Sequence, residues 1–140
     1  MSEVINSIKS YYSDKLENTD FSIADYSDCI INGDCDRFVE VLQNIMENAI
    51  KYGDGNHIAI SFSDEEDCRI ITVKNSGCTL DESELAHIFD SFYRGSNVGS
   101  KAGNGLGLYI CRQLTRAMGG DVFADIENSN MCVSVVCKKK

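Results

Sequence analysis

Three glycines at alternate positions, Gly103, Gly105 and Gly107, run directly into an apolar pattern of helical period: Leu108, Ile110, Cys111, Leu114 and Met118. No other stretch constrains the fold as much. Without Cβ atoms the glycines leave backbone N–H groups bare, and the helix that follows adds about half a positive charge at its first turn. Loop and helix together predict an anion cradle at the end of a core-packed helix. Loops of this composition also serve as plain turns, so the meaning of this one depends on what it faces.

The cradle belongs to a chain of 140 residues, 43% of them hydrophobic and none of them proline, which suits one domain with its own core. No apolar run approaches the roughly 18 residues that span a bilayer, and no signal peptide opens the chain. A cytoplasmic location without direct membrane contact by this domain is therefore expected. The seven cysteines are odd in number and none is spaced C-x-x-C, which favours reduced thiols over a disulfide framework or a zinc site. Net charge is −9, with fifteen acids against four bases in residues 1–67 and seven against nine in residues 68–140. The acidic half argues against nucleic-acid binding, and the second half is compatible with a phosphorylated ligand.

Periodicity predicts a first helix over 3–17, with Val4, Ile5, Ile8, Tyr12 and Leu16 on one side. Two short strands are expected at 20–26 and 28–32, then a long helix over about 36–52 capped by Asp34 or Asp36. Strands His57–Ser63 and Arg69–Lys74 follow, joined by the acidic turn Asp64–Asp67. Residues 81–91 read as helix and 94–104 as a long polar loop. A helix over about 105–118 stops at Gly119-Gly120, and two final strands, about 121–127 and 131–137, pair across Asn128-Ser129-Asn130. Mixed elements with local hairpins predict an α+β sandwich, one sheet with helices on one face.

The long helix has two faces. Phe38, Val41, Leu42, Ile45 and Ala49 share one. Asn44, Asn48 and Lys51, at i, i+4 and i+7, form a polar stripe beside it. Two amides and an ammonium in that arrangement suit a metal-bound polyphosphate: Asn oxygens are hard neutral ligands for Mg²⁺, and Lys51 would offset phosphate charge. A solvated helix edge fits the same stripe. Asn44 has no proton affinity useful to a general base, and Glu47 points away from the apolar face, where exposure to solvent is expected. The site reads as one that holds a nucleotide without readily hydrolysing it.

These motifs fall into an order that resembles the catalytic domain of two-component sensor histidine kinases. Asn44-x-x-x-Asn48-Ala49-x-Lys51-Tyr52 looks like the N box, Asn75-Ser76-Gly77 like a degenerate first glycine box, Phe89–Gly95 like the F box, and Gly103–Leu108 like the second glycine box. The resemblance spans nearly the whole chain and is weakest over residues 1–33. It implies the Bergerat ATP-binding fold of the wider superfamily that includes gyrase and MutL. That fold is a two-layer α/β sandwich, a mixed, roughly five-stranded sheet against about three helices, with a mobile ATP lid. Residues 19–140 would form the catalytic domain, and 1–18 a helix leading from an absent dimerisation domain.

Carried over residue by residue, the resemblance implies that Asn48, helped by Asn44, ligates Mg²⁺, and that Lys51 and Tyr52 contact phosphate and ribose. Asn75 would sit at the adenine, Gly77 would let the backbone approach the base, and Arg94 would reach the γ-phosphate. Gly103, Gly105, Leu106, Gly107 and Leu108 would offer backbone amides to the triphosphate. Phe89 and Phe92 would pack at the base of the lid. Asn44, Lys51 and Arg94 would be the catalytic set, with Mg²⁺, Lys51 and Arg94 neutralising charge during phosphoryl transfer.

The implied partners are the protein's own dimerisation domain, which carries the acceptor histidine, and a response regulator. The isolated domain would be a monomer, and the full-length parent a homodimer anchored in the plasma membrane. Neither His57, at a strand start, nor His87, before the F box, has the setting of a phosphoacceptor. Two departures stand out. Asn75 occupies the usual place of Asp, and Thr79 that of a second glycine. They keep open a degenerate nucleotide-binding or docking module. A hydrolysing ATPase of the same superfamily would normally carry Glu where Asn44 stands.

Overall fold

The computed structural model describes residues 1–78, 82–85, 87–89 and 107–140. Along these the chain forms α1 (Ser2–Lys15), β1 (Asp20–Ile23), α2 (Cys35–Tyr52), β2 (His57–Glu65), β3 (Cys68–Asn75), α3 (Glu82–Leu85), α4 (Gly107–Ala117), β4 (Asp121–Glu127) and β5 (Asn130–Lys138). The five strands make one sheet in the order β1-β2-β3-β5-β4, antiparallel except for the β1–β2 pair.

Strand alternation sends every second residue to the helices, and the register aligns these residues into rows across the sheet. One row runs Phe62, Ile71, Val135, Val122, and the next runs Ile60, Val73, Val133, Ala124. A third runs Ile58, Asn75, Met131, Ile126, so a polar amide stands in an otherwise apolar floor. The opposite face is more polar at its centre, where Thr72 and Ser134 are hydrogen-bonded at 3.0 Å. Both hairpin turns use the left-handed region, at Glu66 in the first and at Asn128 and Ser129 in the second. Consecutive left-handed residues match the twist of a tight hairpin.

α2 is the central helix of the covering layer. Asp34 caps it, its carboxylate accepting from Asp36 N at 2.8 Å and more weakly from Arg37 N. Phe38, Val41, Leu42, Ile45, Met46 and Ala49 are buried, the larger of them each contributing about 1.5–3 kcal/mol of transfer free energy. α1 adds Val4, Ile5, Ile8 and Tyr12 to the same core, and α4 adds Leu108, Cys111 and Thr115. Residues 1–18 thus share one core with the rest of the chain.

Four expectations from the sequence are corrected. Residues 28–32 form no strand: only Ile31 bridges, to Lys139, and Ile30 is 71% exposed. This segment serves to fasten the end of β5, through Asn32 N to Lys138 O and Lys140 N to Ile30 O. β1 likewise stops at Ile23, and Tyr26 turns back to pack on Phe62 with ring centroids 4.6 Å apart. In the 81–91 stretch, the described helix is one turn, Glu82–Leu85. Residues 87–89 form a turn that folds Ile88 and Phe89 into the core.

The fourth correction concerns Glu47, which is half-buried rather than exposed. The fully buried Tyr12 of α1 donates its hydroxyl to Glu47 Oε1 at 2.8 Å. Burial and the adjacent carboxylate push the Tyr12 phenol well above its ordinary range, so it remains a neutral donor. Replacing Tyr12 by Phe leaves a half-buried carboxylate without that donor. We expect a loss of about 1–2 kcal/mol, seen as a lower urea midpoint with an unchanged slope.

Candidate nucleotide site

The polar stripe of α2, the end of β3 and the start of α4 converge. Asn44, Asn48 and Lys51 are each half-buried on the flank of α2 that borders α4. Asn48 Nδ2 donates back to the Asn44 carbonyl at 2.8 Å. That bond orients the amide and turns its Oδ1, the end suited to a hard cation, away from the helix backbone. The Asn44 side chain lies close to the Cys111 thiol of α4. Cys111 also donates to Val41 O at 3.4 Å, and burial pushes its thiol up to about 12, so it acts as packing and not as a nucleophile.

Gly107 opens α4 directly against this stripe, since a Cβ placed on it would come within 3.2 Å of Asn48 Nδ2. The first-turn N–H groups of α4 therefore lie on the Asn48 side of the stripe. Leu108 buries its side chain in the core, so what it offers a ligand is its backbone N–H. Tyr52 ends α2, half-buried.

At the other end of the stripe, Asn75 is only 3% exposed. Its Nδ2 makes a long 3.4 Å bond to Ser76 O and packs over Gly53. A Cβ on Gly53 would stand 2.7 Å from both Asn75 Nδ2 and Ala49 O, so this position has room only for glycine while the amide rests there. Gly77 has φ +74°, which favours glycine on its own account. Its open side is covered: a Cβ there would meet the Asp54 side chain at 2.5–2.6 Å. The Asp54 carboxylate accepts from the Ser76 hydroxyl and from Asn56 N. Sequence reasoning passed over Asp54, which lies in the segment that breaks α2.

Phe89, expected as packing below a lid, is buried with the Arg112 guanidinium 4.0 Å over its ring. Arg112 also donates to Val122 O at 2.8 Å, tying α4 to β4. Cys78 is buried, its backbone N bonded to Ser129 O. His57 is exposed and pairs with Asp20 at 3.0 Å. Arg94, Gly103, Gly105, Leu106, Phe92 and Thr79 lie outside the described residues. Among the described residues no group of three or more His, Cys, Asp or Glu is placed to hold a metal ion.

Comparison with known proteins identifies the fold and family. The catalytic domain of the histidine kinase ThkA, solved without nucleotide, superposes with a TM-score of 0.85 at 27% identity, covering 99% of this chain and 93% of that one. ThkA solved in complex with the response regulator TrrA gives 0.82 at 26%, covering all of this chain and 40% of that one. The sensor histidine kinase WalK of Bacillus subtilis is 36% identical over 103 residues, 70% of this chain and 17% of that protein. The sensor protein TorS of Escherichia coli is 36% identical over 103 residues, 74% of this chain and 11% of that protein. The chain thus spans less than a fifth of the length of these curated relatives. The family model described as histidine kinase-, DNA gyrase B-, and HSP90-like ATPase matches residues 33–140, from the residue before the α2 cap through β5, and the chain belongs to that family.

Proposed function

We propose that the chain is the ATP-binding catalytic domain of a sensor histidine kinase, which passes the γ-phosphoryl of Mg-ATP to a histidine on a separate dimerisation domain. The observation that carries this reading is the meeting of Gly107, at the start of α4, with Asn48 of α2. It puts a helix N-terminus beside two amides, a setting for anionic phosphate and a hard cation together. Asn48 and Asn44 would hold Mg²⁺ through their amide oxygens. The bond from Asn48 Nδ2 to the Asn44 carbonyl fits that role by leaving Oδ1 outermost. Bound Mg²⁺ supplies neutralisation of phosphate charge. Lys51 adds to it at the helix edge, and Arg94 would do so at the γ-phosphate.

In the transfer, the bond from the bridging oxygen to Pγ breaks and an imidazole nitrogen takes the phosphoryl, with ADP leaving. The protein's part is positioning and charge neutralisation. No carboxylate stands at Asn44 to activate water, and Glu47, the nearest on α2, is engaged by Tyr12. Held ATP awaiting an external histidine follows. The phosphohistidine would then serve a response regulator, the class of partner seen on ThkA. We place the domain on the cytoplasmic side, as a monomer alone and in a homodimer when joined to its dimerisation domain. No helix among the described residues is long and apolar enough to cross a membrane.

The test is to mix the domain with the helical dimerisation region of its parent and γ-labelled ATP. Acid-labile label on that region is expected, falling at least about tenfold in Asn48→Ala as Mg²⁺-dependent nucleotide binding is lost. Binding without transfer would favour a docking module, and steady hydrolysis by the domain alone would favour an ATPase.

Asn75 bears on affinity. With Nδ2 turned to Ser76 O, its Oδ1 is the end left to accept from a base amine. A neutral acceptor is worth less than a carboxylate there. Asn75→Asp is expected to raise ATP affinity about threefold and to widen the ATP-to-GTP ratio, read by titrating both nucleotides. Unchanged values would remove Asn75 from the base-reading set.

A further inference from the structure

We infer that Asp54, laid over Gly77 beside Asn75, supplies the carboxylate that reads the exocyclic amine of the purine and sets the preference of this site for ATP over GTP. The inference rests on the nucleotide-binding reading above and deepens it. Its ground is the covered face of Gly77. The φ of +74° already calls for glycine at this position, and the side a Cβ would occupy is not left open to a base. Instead Asp54 fills it, with Cβ, Cγ and Oδ2 all within 2.6 Å of where a Cβ would stand.

The carboxylate is held by both ends of the corner it spans. Oδ1 accepts from the Ser76 hydroxyl and from Asn56 N, while Asp54 N donates to Ser76 O at 3.1 Å. His57 N donates in turn to the Ser76 hydroxyl at 3.1 Å. Oδ2 lies on the Gly77 side, 2.6 Å from where a Cβ on that residue would stand, while the bonds from Ser76 and Asn56 both fall on Oδ1. The Ser76 hydroxyl and the Asn56 N–H hold this carboxyl below the usual carboxylate range, so it is charged at neutral pH.

Chemistry then separates the two purines. An ionised oxygen accepts from the 6-amino group of adenine and repels the 6-carbonyl oxygen of guanine. Asn75, neutral and buried at the end of the apolar row, makes no such distinction by charge. Gly53 completes the arrangement, because its missing side chain lets the Asn75 amide sit back against α2 while Asp54, the next residue, comes forward.

The experiment titrates Mg-ATP and Mg-GTP calorimetrically into the wild-type domain, Asp54→Asn, Asp54→Glu and the double variant Asp54→Asn/Asn75→Asp, with a thermal melt of each. Asn at 54 keeps an oxygen for Ser76 and Asn56, so its melt is expected to match wild type. ATP affinity should fall about fivefold in Asp54→Asn with GTP unchanged or tighter. Asp54→Glu should retain part of the ATP preference, and the double variant should regain it through position 75. An unchanged ATP-to-GTP ratio in Asp54→Asn, with ATP still bound, overturns the inference and leaves the site assignment standing. Equal loss in Asp54→Asn and Asp54→Glu, with lowered melts, assigns Asp54 to the turn alone and also overturns it. Failure of the wild type to bind either nucleotide overturns the site assignment and this inference with it.

Discussion

One helix has to serve two surfaces, and most of the molecule is arranged around that constraint. The apolar side of α2 must lie flat on the rows contributed by β2, β3 and β5, or the sandwich has no core. Its polar stripe must at the same time stay at the rim, half-covered, where Asn48 meets the first turn of α4. The two demands are compatible because positions 44, 48 and 51 follow one edge of the face formed by 38, 41, 42, 45 and 49. Burial of the second set therefore fixes the direction of the first. The Asp34 cap and the halt at Gly53 set where the helix begins and ends, and with them the height of the stripe against α4 and β3.

The far end of the stripe obeys a tighter geometry. Two glycine-dependent contacts meet there, Gly53 under the Asn75 amide and Gly77 under Asp54, and a third, Gly107 against Asn48, stands at the end facing α4. In each case a missing side chain is answered by a polar one from another element. Glycines in a loop are ordinarily credited with freedom, whereas here each faces a specific neighbour. That is why the glycine at 77 and the acid at 54 have to be considered as one feature, although 23 positions separate them.

What the sequence revealed, and what it hid, divides along the same line. α1, α2, α4 and both hairpins were legible because their signals are local: apolar residues at helical spacing, a capping Asp, turn residues between alternating runs. The N-box stripe was legible for the same reason. Residues 28–32 misled because Ile30 and Ile31 look like strand material, yet their partner is the end of β5, over a hundred residues on. Glu47 misled because its donor, Tyr12, sits on a different helix. Asp54 left no signal beyond its place in a helix-breaking loop. Asn75 left one: in the alternation Ile71, Val73, Asn75 it holds an inward-facing place that packing alone would give to an apolar residue.

The Tyr12–Glu47 bond also bears on why such a site would keep its nucleotide. A carboxylate beside bound phosphate is a hazard to a stored triphosphate if it is free to orient water. On α2 the acid between the two asparagines is turned toward α1 and held by a phenol that burial keeps protonated. Asn44, which contributes no base, has its side chain beside a thiol that burial likewise keeps protonated. Both arrangements use the low-dielectric core to fix a proton on the packing side of the helix. On the proposed reading, the phosphate side would be left to neutral amides, an ammonium and backbone N–H groups. These stabilise charge without transferring protons to or from water, so the chemistry of the site is left to whatever nucleophile is brought to it.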